Sequence, residues 1–526
     1  MGEQARYDVL VIGGGINGAG IARDGAGRGL SVLLCEQDDL ASHTSSSSTK
    51  LIHGGLRYLE YKEFGLVRKA LQERETLLRG APHIIWPLRF VMPHMPNLRP
   101  AWLIRIGLFL YDHLAKRELL PGSRGISMVR HAAGAPLVDS IRRGFVYSDG
   151  WVDDARLVVL NALDARERGA DILTRTRLVA ARRENCEWVA TLQRADGSGR
   201  EVRARAIANA AGPWVGSVLH GALGRDARHS VRLVKGSHIV TRRLFDHDYA
   251  YIFQNPDKRI IFAIPYEQDF TLIGTTDVEY HDDPSKVAID RDETQYLCDS
   301  INRYFKQKIS PADVRWTYSG VRPLLEDENA DNPSAVTRDY KLEMDDGQGA
   351  PLLSVFGGKI TTFRKLAEDA AGMLVEALGS GRAAWTAGQP LPGGNIAGAR
   401  FAPFAEAFAK RHAWLPAALA RRYARAYGMR AERIVAGTSS LAGLGTEIAP
   451  GIHEAELRYL HDSEWATCAD DVLWRRSKLG LHVVPGMLEA VTAGLDAWFA
   501  QGASSASATD PAASASATDP AARDRE

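Results

Sequence analysis

The stretch at residues 7–36, YDVLVIGGGINGAGIARDGAGRGLSVLLCE, decides the fold of this 526-residue chain. The short apolar run at residues 9–12 predicts a buried parallel strand. Glycines follow it at positions 13, 15 and 18, and a helix of small residues is predicted to run to about residue 28. A second strand at residues 31–35 ends at Glu36. The stretch therefore predicts a β-α-β unit of the Rossmann type.

The glycine spacing, G-x-G-x-x-G, is typical of a dinucleotide-binding turn. Gly13 makes the turn, Gly15 lets the backbone approach a pyrophosphate, and Gly18 lets the helix pack on the strand. The helix N-terminus offers unpaired N–H groups to phosphates. Glu36 lies about 20 residues further on, where a carboxylate accepts hydrogen bonds from a ribose. Ordinary turns also contain such glycines, but here every element is in register, and we expect an adenine dinucleotide. NAD and FAD both remain open.

Composition and charge narrow the class of protein. The chain is long enough for two or three domains of about 150 residues. It is 45% hydrophobic and 25% charged with a net charge of +1, so we expect a globular protein and no nucleic-acid partner. The four cysteines are scattered without a C-x-x-C pair, which argues against a zinc site or a disulfide framework and favours a reducing compartment.

The N-terminus and the apolar runs predict where the protein works. The first strand begins by about residue 7, which leaves no room for a signal peptide. No run approaches the ~18 uninterrupted apolar residues of a membrane-spanning helix. We therefore expect a cytoplasmic protein that is soluble or peripheral.

Further ligand contacts are predicted in the segments that follow Glu36. Residues 42–50, SHTSSSSTK, are either a flexible linker or a hydroxyl-rich loop around the cofactor, and we favour the loop. The next segment, LIHGGLRYLEY, contains a glycine pair that allows close approach to a flat ligand. The short strands IANAAG (residues 207–212) and APLLSVFGG (residues 350–358) also end in small residues. A helix at residues 359–378 begins at the second of these.

The remaining segments suggest a substrate domain and a helical region. Residues 62–80 read as a helix, the proline-rich residues 82–100 as irregular structure or an edge strand, and residues 144–154 as a hairpin. From residue 231 to about 347 the pattern is rich in strands. Helical spacing returns beyond Pro390, and a duplicated SASATDPAA at residues 505–522 predicts a disordered tail. The nearly apolar helix at residues 101–114 is either buried core, which we favour, or an element in a membrane interface.

Taken together, these stretches closely resemble the flavin-linked respiratory glycerol-3-phosphate dehydrogenases, in the superfamily of glycine and D-amino-acid oxidases. The matching stretches are VIGGGINGAGIARDGAGRGLSVLLCE, SSSSTKLIHGGLRYLE, LRPAWLIRIGLFLYDHL, YSDGWVDDARLV, NAAGPW, KGSHIV, IGTTD, SGVRPL and FGGKITTFRKLAE. They extend from residue 7 to about residue 368, and the duplicated tail lies outside them.

The resemblance implies noncovalent FAD and oxidation of sn-glycerol 3-phosphate to dihydroxyacetone phosphate by hydride transfer to flavin N5. It also implies that electrons pass to a membrane quinone, with the protein bound peripherally to the cytoplasmic face of the inner membrane, and it leaves a homodimer open. Only one complete G-x-G-x-x-G occurs, so there is no evident second site for NAD(P)H.

The implied fold class is α/β, with a Rossmann-type FAD-binding domain, a mixed or antiparallel substrate sheet and a helical C-terminal domain. The predicted FAD-binding domain comprises residues 1–80, 145–225 and 350–385. The substrate domain comprises residues 81–144 and 226–349. The helical domain comprises residues 386–501, and the tail residues 502–526.

Site residues are predicted from the motifs and the chemistry. The cofactor contacts are Gly13, Gly15, Asn17, Gly18, Glu36, Ser45, Ser46, Thr49, Lys50, His53, Gly54, Gly212, Gly358 and Thr361. A phosphate-bearing substrate needs cationic anchors, and the resemblance implies Arg57, Tyr58, Arg322 and Lys359 as the substrate-binding residues, since they match the family's motifs. His53 and His238 are candidate proton acceptors because imidazole titrates near neutrality, although each could be a structural hydrogen-bonding group. Arg322 could instead stabilise a developing alkoxide.

Three other functions stay open at this point. An oxidase of the same family would pass electrons to oxygen. An amine-oxidising flavoenzyme is a second alternative, but the cationic residues suit a phosphate better. A non-catalytic flavin-binding regulator is the third.

Overall fold

A computed structural model describes residues 5–95, 99–226, 229–257, 259–325, 339–347 and 349–506, with the backbone alone for 502–506. The chain divides into two compact units, one ending at Ser439 and one beginning at Ser440. This division lies inside the predicted helical domain of residues 386–501.

The elements are numbered in chain order. The strands are β1 (Arg6–Ile12), β2 (Val32–Cys35), β3 (Leu51–Ile52), β4 (Ile85–His94), β5 (Arg124–Ser127), β6 (Arg143–Val152), β7 (Asp171–Leu173), β8 (Thr176–Glu184), β9 (Glu187–Arg194), β10 (Gly199–Asn209), β11 (Val231–Arg242), β12 (Ala250–Gln254), β13 (Ile260–Tyr266), β14 (Phe270–Gly274), β15 (Val278–Glu279), β16 (Val314–Leu325), β17 (Tyr340–Asp345), β18 (Leu352–Gly357), β19 (Glu447–Ala449) and β20 (Ile452–His453). The α-helices are α1 (Ile16–Gly27), α2 (Phe64–Gly80), α3 (Ala101–His113), α4 (Asp154–Glu167), α5 (Val215–Ser217), α6 (Arg291–Asn302), α7 (Phe363–Leu378), α8 (Phe401–Arg411), α9 (Ala417–Tyr427), α10 (Ala431–Ile434), α11 (Glu454–Glu464) and α12 (Leu488–Ala506).

The first sheet has the order β17-β18-β10-β1-β2-β7, and its strands from β18 to β7 are parallel. The strands β8 and β9 extend it as an antiparallel hairpin on β10. Helices α4 and α7 both pack against α1. Leu10 and Ile12 join a core with Trp188 and Leu192 on β9. The glycine-rich stretch thus forms the predicted Rossmann-type unit, with apolar residues covered on both faces of the sheet.

The second sheet is mixed, as expected for the substrate region. Its order is β15-β11-β14-β13-β12-β4-β6-β3, with β16 paired to β11 and β5 paired to β6. The β12–β4 pair is parallel and the other pairs are antiparallel. Leu297 and Ile301 of α6 pack in the core that this sheet covers, beside Ile239 and Phe253.

Two local predictions in the second sheet are wrong. Residues 144–154 do not form a hairpin, because β6 is one continuous strand paired with β4 over its whole length. Over Ile85–His94 the proline-rich segment is neither irregular nor an edge, because β4 lies inside the sheet, whereas residues 96–98 lie outside the described residues. β4 pairs with β12 only at Phe90 and Val91, so Pro87 and Pro93 lie where β4 pairs with β6 alone. One side of β4 is unpaired there, and a proline whose nitrogen faces that side costs no ladder hydrogen bond.

The favoured prediction of a buried helix at residues 101–114 is also wrong. Within α3 only Leu108, Tyr111 and Asp112 are buried. Trp102 is 65% exposed and Phe109 is 53% exposed. Sequence patterning failed here because the helix is apolar nearly all round, so periodicity could not identify an outer face. Among the described residues, no helix combines the length and apolar character needed to cross a bilayer.

The region beyond Pro390 is helical, as predicted. Helices α8, α9 and α10 belong to the first compact unit, and α11 and α12 to the second, together with the small β19–β20 ladder. Helix α12 continues to Ala506, into the range predicted to be a tail. Residues 507–526, with most of the duplicated sequence, lie outside the described residues.

Candidate active site

The turn between β1 and α1 is built around glycines, two of which leave no room for a Cβ. Gly13 has φ +105°, and a Cβ there would lie 2.7 Å from the carbonyl oxygen of Ala210 at the end of β10. A Cβ on Gly18 would lie 1.9 Å from the carbonyl oxygen of Gly13. Gly15 is the N-cap of α1. The glycines therefore bring helix, turn and neighbouring strand closer together than side chains would allow.

Glu36 follows the last residue of β2 and is buried at the edge of this turn. Its Oε2 accepts the N–H of Gly14 at 2.6 Å, and its Oε1 accepts the N–H of Asp38 at 2.9 Å. Burial raises the pKa of the Glu36 carboxyl, whereas these two N–H groups act to lower it. A carboxylate has about four lone-pair sites. Glu36 therefore retains acceptor capacity for ribose hydroxyls.

The serine-rich segment is a folded loop held by side-chain hydrogen bonds. Ser45 Oγ accepts the N–H of Ile16, the first residue of α1, at 3.0 Å. The hydroxyl of Thr44 donates to the carbonyl oxygen of Val321 on β16 at 2.7 Å. The loop therefore joins the N-terminus of α1 to the second sheet.

Lys50, at the end of this loop, points into the interior of the protein. Its Nζ donates to Asp154 Oδ1 at 2.6 Å and to the carbonyl oxygen of Ser46 at 3.0 Å. Both charged groups are buried. The pair holds the base of the loop, because Ser48 also donates to Asp154, through its N–H and its hydroxyl.

The turn at His53 and Gly54 is held from two sides. The N–H of His53 donates to Thr361 Oγ1 at 3.2 Å, between β18 and α7. The N–H of Gly54 donates to the hydroxyl of Tyr111 on α3 at 2.7 Å. A Cβ on Gly54 would lie 2.4 Å from Leu71 of α2. Gly54 therefore packs against α2 and α3.

Lys359 and Tyr58 meet across the site. The Nζ of Lys359 lies 3.9 Å from the centre of the Tyr58 ring, within reach of a cation–π interaction. Next to them, Asn17 Nδ2 donates to the carbonyl oxygen of Gly357 at 3.3 Å. The buried Asn17 Oδ1 accepts no hydrogen bond within the described residues, so it can receive one from a ligand.

Arg322 reaches the site from β16. It forms an ion pair with Asp277, and its Nη2 donates to Thr275 Oγ1 at 2.9 Å and to the carbonyl oxygen of Thr276 at 3.3 Å. The side chain is 23% exposed. The neighbouring loop thus fixes the direction of a partly accessible guanidinium.

His238 is buried on β11, behind Thr49. Its Nε2 lies 3.0 Å from the hydroxyl of Thr49, and its ring stacks on Tyr318 at 4.7 Å. Burial, with the positive charges of Arg322 and Lys50, holds the pKa of His238 well below its ordinary value. The imidazole is therefore neutral near pH 7 and accepts a proton poorly.

These features enclose one cavity of about 540 Å³, within the size range of small-molecule sites. The predicted residues that line it are Gly13, Gly15, Asn17, Glu36, Ser45, Thr49, His53, Tyr58, Gly212, Arg322, Gly358, Lys359 and Thr361. Those outside its lining are Gly18, Ser46, Lys50, Gly54, Arg57 and His238. Arg57 lies on the 3₁₀ turn Leu56–Tyr61, where its Nη2 is 3.5 Å from the hydroxyl of Tyr61.

Sequence reasoning missed part of the lining. Leu178 and Val179 of β8 lie in the wall, and no local motif marks them, because a hairpin far along the chain brings them there. Gly236 and Gly320 face each other in the β11–β16 register and both line the cavity. The motifs KGSHI and SGVRPL contain these two glycines and are the sequence signal that could have identified them.

The residues present fit an adenine dinucleotide. The glycine turn leaves space that a Cβ would fill, and Glu36 keeps free acceptor sites. The buried Asn17 Oδ1 accepts no hydrogen bond within the described residues. The cationic groups of Lys359 and Arg322 line the same cavity and suit an anionic substrate.

Comparison with known proteins agrees with this geometry. Residues 8–364 match the family model of FAD-dependent oxidoreductases, and residues 384–497 match the C-terminal domain of alpha-glycerophosphate oxidase. The fold and the cavity are thus those of an FAD-dependent oxidoreductase. The aligned part of the chain is 57% identical to glycerol-3-phosphate dehydrogenase of Pseudomonas aeruginosa, covering 91% of this chain and 93% of that protein. It is 52% identical to aerobic glycerol-3-phosphate dehydrogenase of Escherichia coli, covering 90% and 94%.

A solved structure gives the same result. Glycerol-3-phosphate dehydrogenase of Bacillus halodurans, complexed with FAD, superposes with a TM-score of 0.76 at 26% identity, covering 95% of this chain and 91% of that one. The chain belongs to the family of FAD-dependent glycerol-3-phosphate dehydrogenases.

Proposed function

We propose that this enzyme oxidises sn-glycerol 3-phosphate to dihydroxyacetone phosphate with FAD. One observation carries the proposal: Arg322, Lys359 and His53 line the same cavity as the dinucleotide turn. Two cations beside a redox cofactor suit a phosphate-bearing alcohol. The close relatives named for this substrate support the same choice.

The chemistry removes a hydride from carbon 2 of the substrate and a proton from its hydroxyl group. When bound, FAD would supply the acceptor for the hydride, which carries both electrons of the oxidation. Lys359 and Arg322 bind the phosphate, since both are cationic and held in place by their neighbours. Fixing the phosphate orients the secondary alcohol, and such positioning of the reacting groups raises the rate.

His53 is the proton acceptor in this proposal. It lines the cavity, whereas His238 lies behind Thr49 with its pKa held low. His238 instead orients the Thr49 hydroxyl, which also lines the cavity. We propose that FAD is bound by the predicted cofactor residues that line the cavity, such as Gly13, Glu36 and Thr361. Gly18, Lys50 and Gly54 lie outside the lining and shape the site through their packing.

Anaerobic mixing with sn-glycerol 3-phosphate tests the reaction directly. We expect the visible absorbance of the flavin to bleach, with one dihydroxyacetone phosphate formed per flavin. The enantiomer and glycerol itself serve as controls for the phosphate contact. A flavin that stays oxidised would contradict the proposal and favour a non-catalytic flavin-binding protein.

D-erythritol 1-phosphate is a second candidate substrate. The chain is 53% identical to D-erythritol 1-phosphate dehydrogenase of Brucella abortus, covering 95% of this chain and 99% of that protein. Both substrates are phosphorylated polyols, and the cationic end of the cavity suits either. The ratio of kcat/KM for the two phosphates decides between them.

The electron acceptor is proposed to be a membrane quinone. The support is the exposed apolar face of α3, with Trp102, Ile106 and Phe109, beside the basic residues Arg105 and Lys116. Such a face suits the interface of an anionic bilayer. Turnover with a soluble quinone analogue should exceed turnover with oxygen, and the reverse result would favour an oxidase.

A further inference from the structure

We propose that Tyr111 and Asp149 are positioning residues, which hold His53 in the cavity through the peptide N–H of Gly54. The inference rests on the proposed function for the role of His53. The residues concerned lie outside the cavity lining. They come from α3 and β6, far along the chain from the turn that they hold.

The first observation is a convergent set of hydrogen bonds on one peptide group. The Gly54 N–H donates to the Tyr111 hydroxyl at 2.7 Å and points to Asp149 Oδ1 at 3.4 Å. The Tyr111 hydroxyl in turn donates to Asp149 Oδ1 at 2.7 Å. The phenol is therefore oriented as an acceptor for the turn, because its own proton is committed to the carboxylate.

The second observation is the charge that orients this phenol. Asp149 is buried and accepts from Arg74 Nη1 at 2.6 Å, and Arg74 also donates to the carbonyl oxygen of Ser148 at 2.8 Å. A buried ion pair costs desolvation and adds little net stability over apolar packing. Such a pair is better supported as a means of specifying one arrangement of side chains. Here the arrangement leads from Asp149 through Tyr111 to the N–H of Gly54.

The third observation connects the network to the chemistry. His53, one residue earlier, lines the cavity, and its own N–H donates to Thr361 Oγ1 at 3.2 Å. Two consecutive N–H groups are thus held by side chains from different parts of the chain. Fixing both peptide planes fixes the direction of the His53 side chain. Loss of either hydrogen bond would let this side chain change its direction.

The test compares two variants that each remove one hydroxyl from a buried tyrosine. Tyr111→Phe removes the nearer of the two acceptors of the Gly54 N–H. Tyr147→Phe is the matched control, because Tyr147 on β6 is buried and in ring contact with Tyr111 at 6.0 Å but has no hydrogen bond to the turn in the described part of the chain. Both are made in the full-length, FAD-loaded protein.

Amide hydrogen exchange of the peptide at residues 51–58 is the first measurement, and it needs no substrate. Tyr111→Phe should speed exchange at Gly54 by about tenfold, the loss of one hydrogen bond, and Tyr147→Phe should leave it unchanged. Equal exchange in both variants would overturn the proposal. This outcome is independent of which substrate the enzyme takes.

Steady-state kinetics with sn-glycerol 3-phosphate is the second measurement. Tyr111→Phe should lower kcat about tenfold, with KM and flavin content close to wild type, since Tyr111 lies outside the cavity lining and neither the two cations nor the glycine turn is altered. A merely structural role would lower flavin content and melting temperature with activity. Asp149→Asn, which weakens the acceptor while keeping its shape, should show the same split, and a change in KM alone in both variants would also overturn the proposal.

Discussion

At the scale of single residues, Lys359 carries the clearest prediction for the substrate. Lys359→Ala should raise KM for sn-glycerol 3-phosphate at least tenfold, because a charge-assisted contact to phosphate is lost. FAD content should stay near wild type, since other residues line the remainder of the cavity. Initial rates over a range of substrate concentrations give the KM of the variant and of the wild type.

The matched control for Lys359 is Lys306→Ala. Lys306 is half-exposed and pairs with the exposed Asp139, outside the cavity lining. The Lys306→Ala variant removes one positive charge from the protein, as Lys359→Ala does, but leaves the charges that line the cavity unchanged. Equal effects of the two variants on KM would indicate a general electrostatic effect and would exclude Lys359 as a phosphate ligand.

Gly18 carries a second prediction at this scale. Gly18→Ala would place a methyl group 1.9 Å from the backbone oxygen of Gly13, so α1 must move away from β1. We expect loss of bound FAD and a fall in unfolding free energy of about 3 kcal/mol or more, measured by flavin absorbance and urea denaturation. Gly65→Ala on α2 is the control, since a Cβ there meets nothing within 4 Å. It should stabilise by up to about 1 kcal/mol.

Residues were predictable where a motif fixes its own geometry. Glu36 and Gly13 lie where their spacing places them, because strand, turn and helix are consecutive in the chain. Lys50 and Gly54 follow equally suggestive motifs but face inward. Their partners are Asp154 and Tyr111, which are 104 and 57 residues away in sequence, and no local pattern reports them.

At the scale of elements, α3 makes the membrane hypothesis testable. The double variant Trp102→Ser and Phe109→Ser should lose binding to anionic liposomes in flotation, because both side chains are more than half exposed. Anaerobic flavin reduction by substrate should be unchanged, since neither residue lines the cavity.

The control for α3 is Val129→Ser. Val129 is 75% exposed and lies outside the helix, so the variant removes exposed apolar surface elsewhere. It should float like wild type. If the double variant also floats like wild type, α3 does not carry membrane binding.

The same helix shows which elements the sequence specifies poorly. Strands and helices with one apolar face were identified, because periodicity reports the direction of the core. α3 is apolar nearly all round, and β4 contains Pro87 and Pro93 inside a sheet. Both elements depart from the usual hydrophobic and proline patterns of helices and strands. Only the elements packed beside them in the fold show why each is tolerated.

At the scale of the whole molecule, buried histidines make stability depend on pH. Burial, with the charges of Arg156 and Arg425, lowers the pKa of His83 to about 3, so His83 is neutral in the folded protein. Below about pH 6.5 the unfolded chain binds a proton that the folded protein does not. The free energy of unfolding therefore falls as the pH falls from about 6.5 towards 3, by about 1.4 kcal/mol per pH unit for this group.

Urea denaturation at pH 6, 5 and 4 measures this dependence. Carboxyl groups contribute as well, so the contribution of His83 is taken from the variant His83→Leu, whose slope should be smaller by about 1.4 kcal/mol per pH unit. His220→Gln, at an exposed position, should keep the wild-type slope. An unchanged slope in His83→Leu would mean that His83 takes up its proton in the folded state.

The order of the first sheet also determines when the enzyme can acquire its cofactor during synthesis. β1 is flanked by β10, at Gly199–Asn209, and β10 by β18, at Leu352–Gly357. The cavity wall closes at Thr361, although the glycine turn comes far earlier in the chain. A nascent chain therefore carries the fingerprint long before it has a pocket. We therefore expect products of premature termination before about residue 361 to carry the motif without binding FAD.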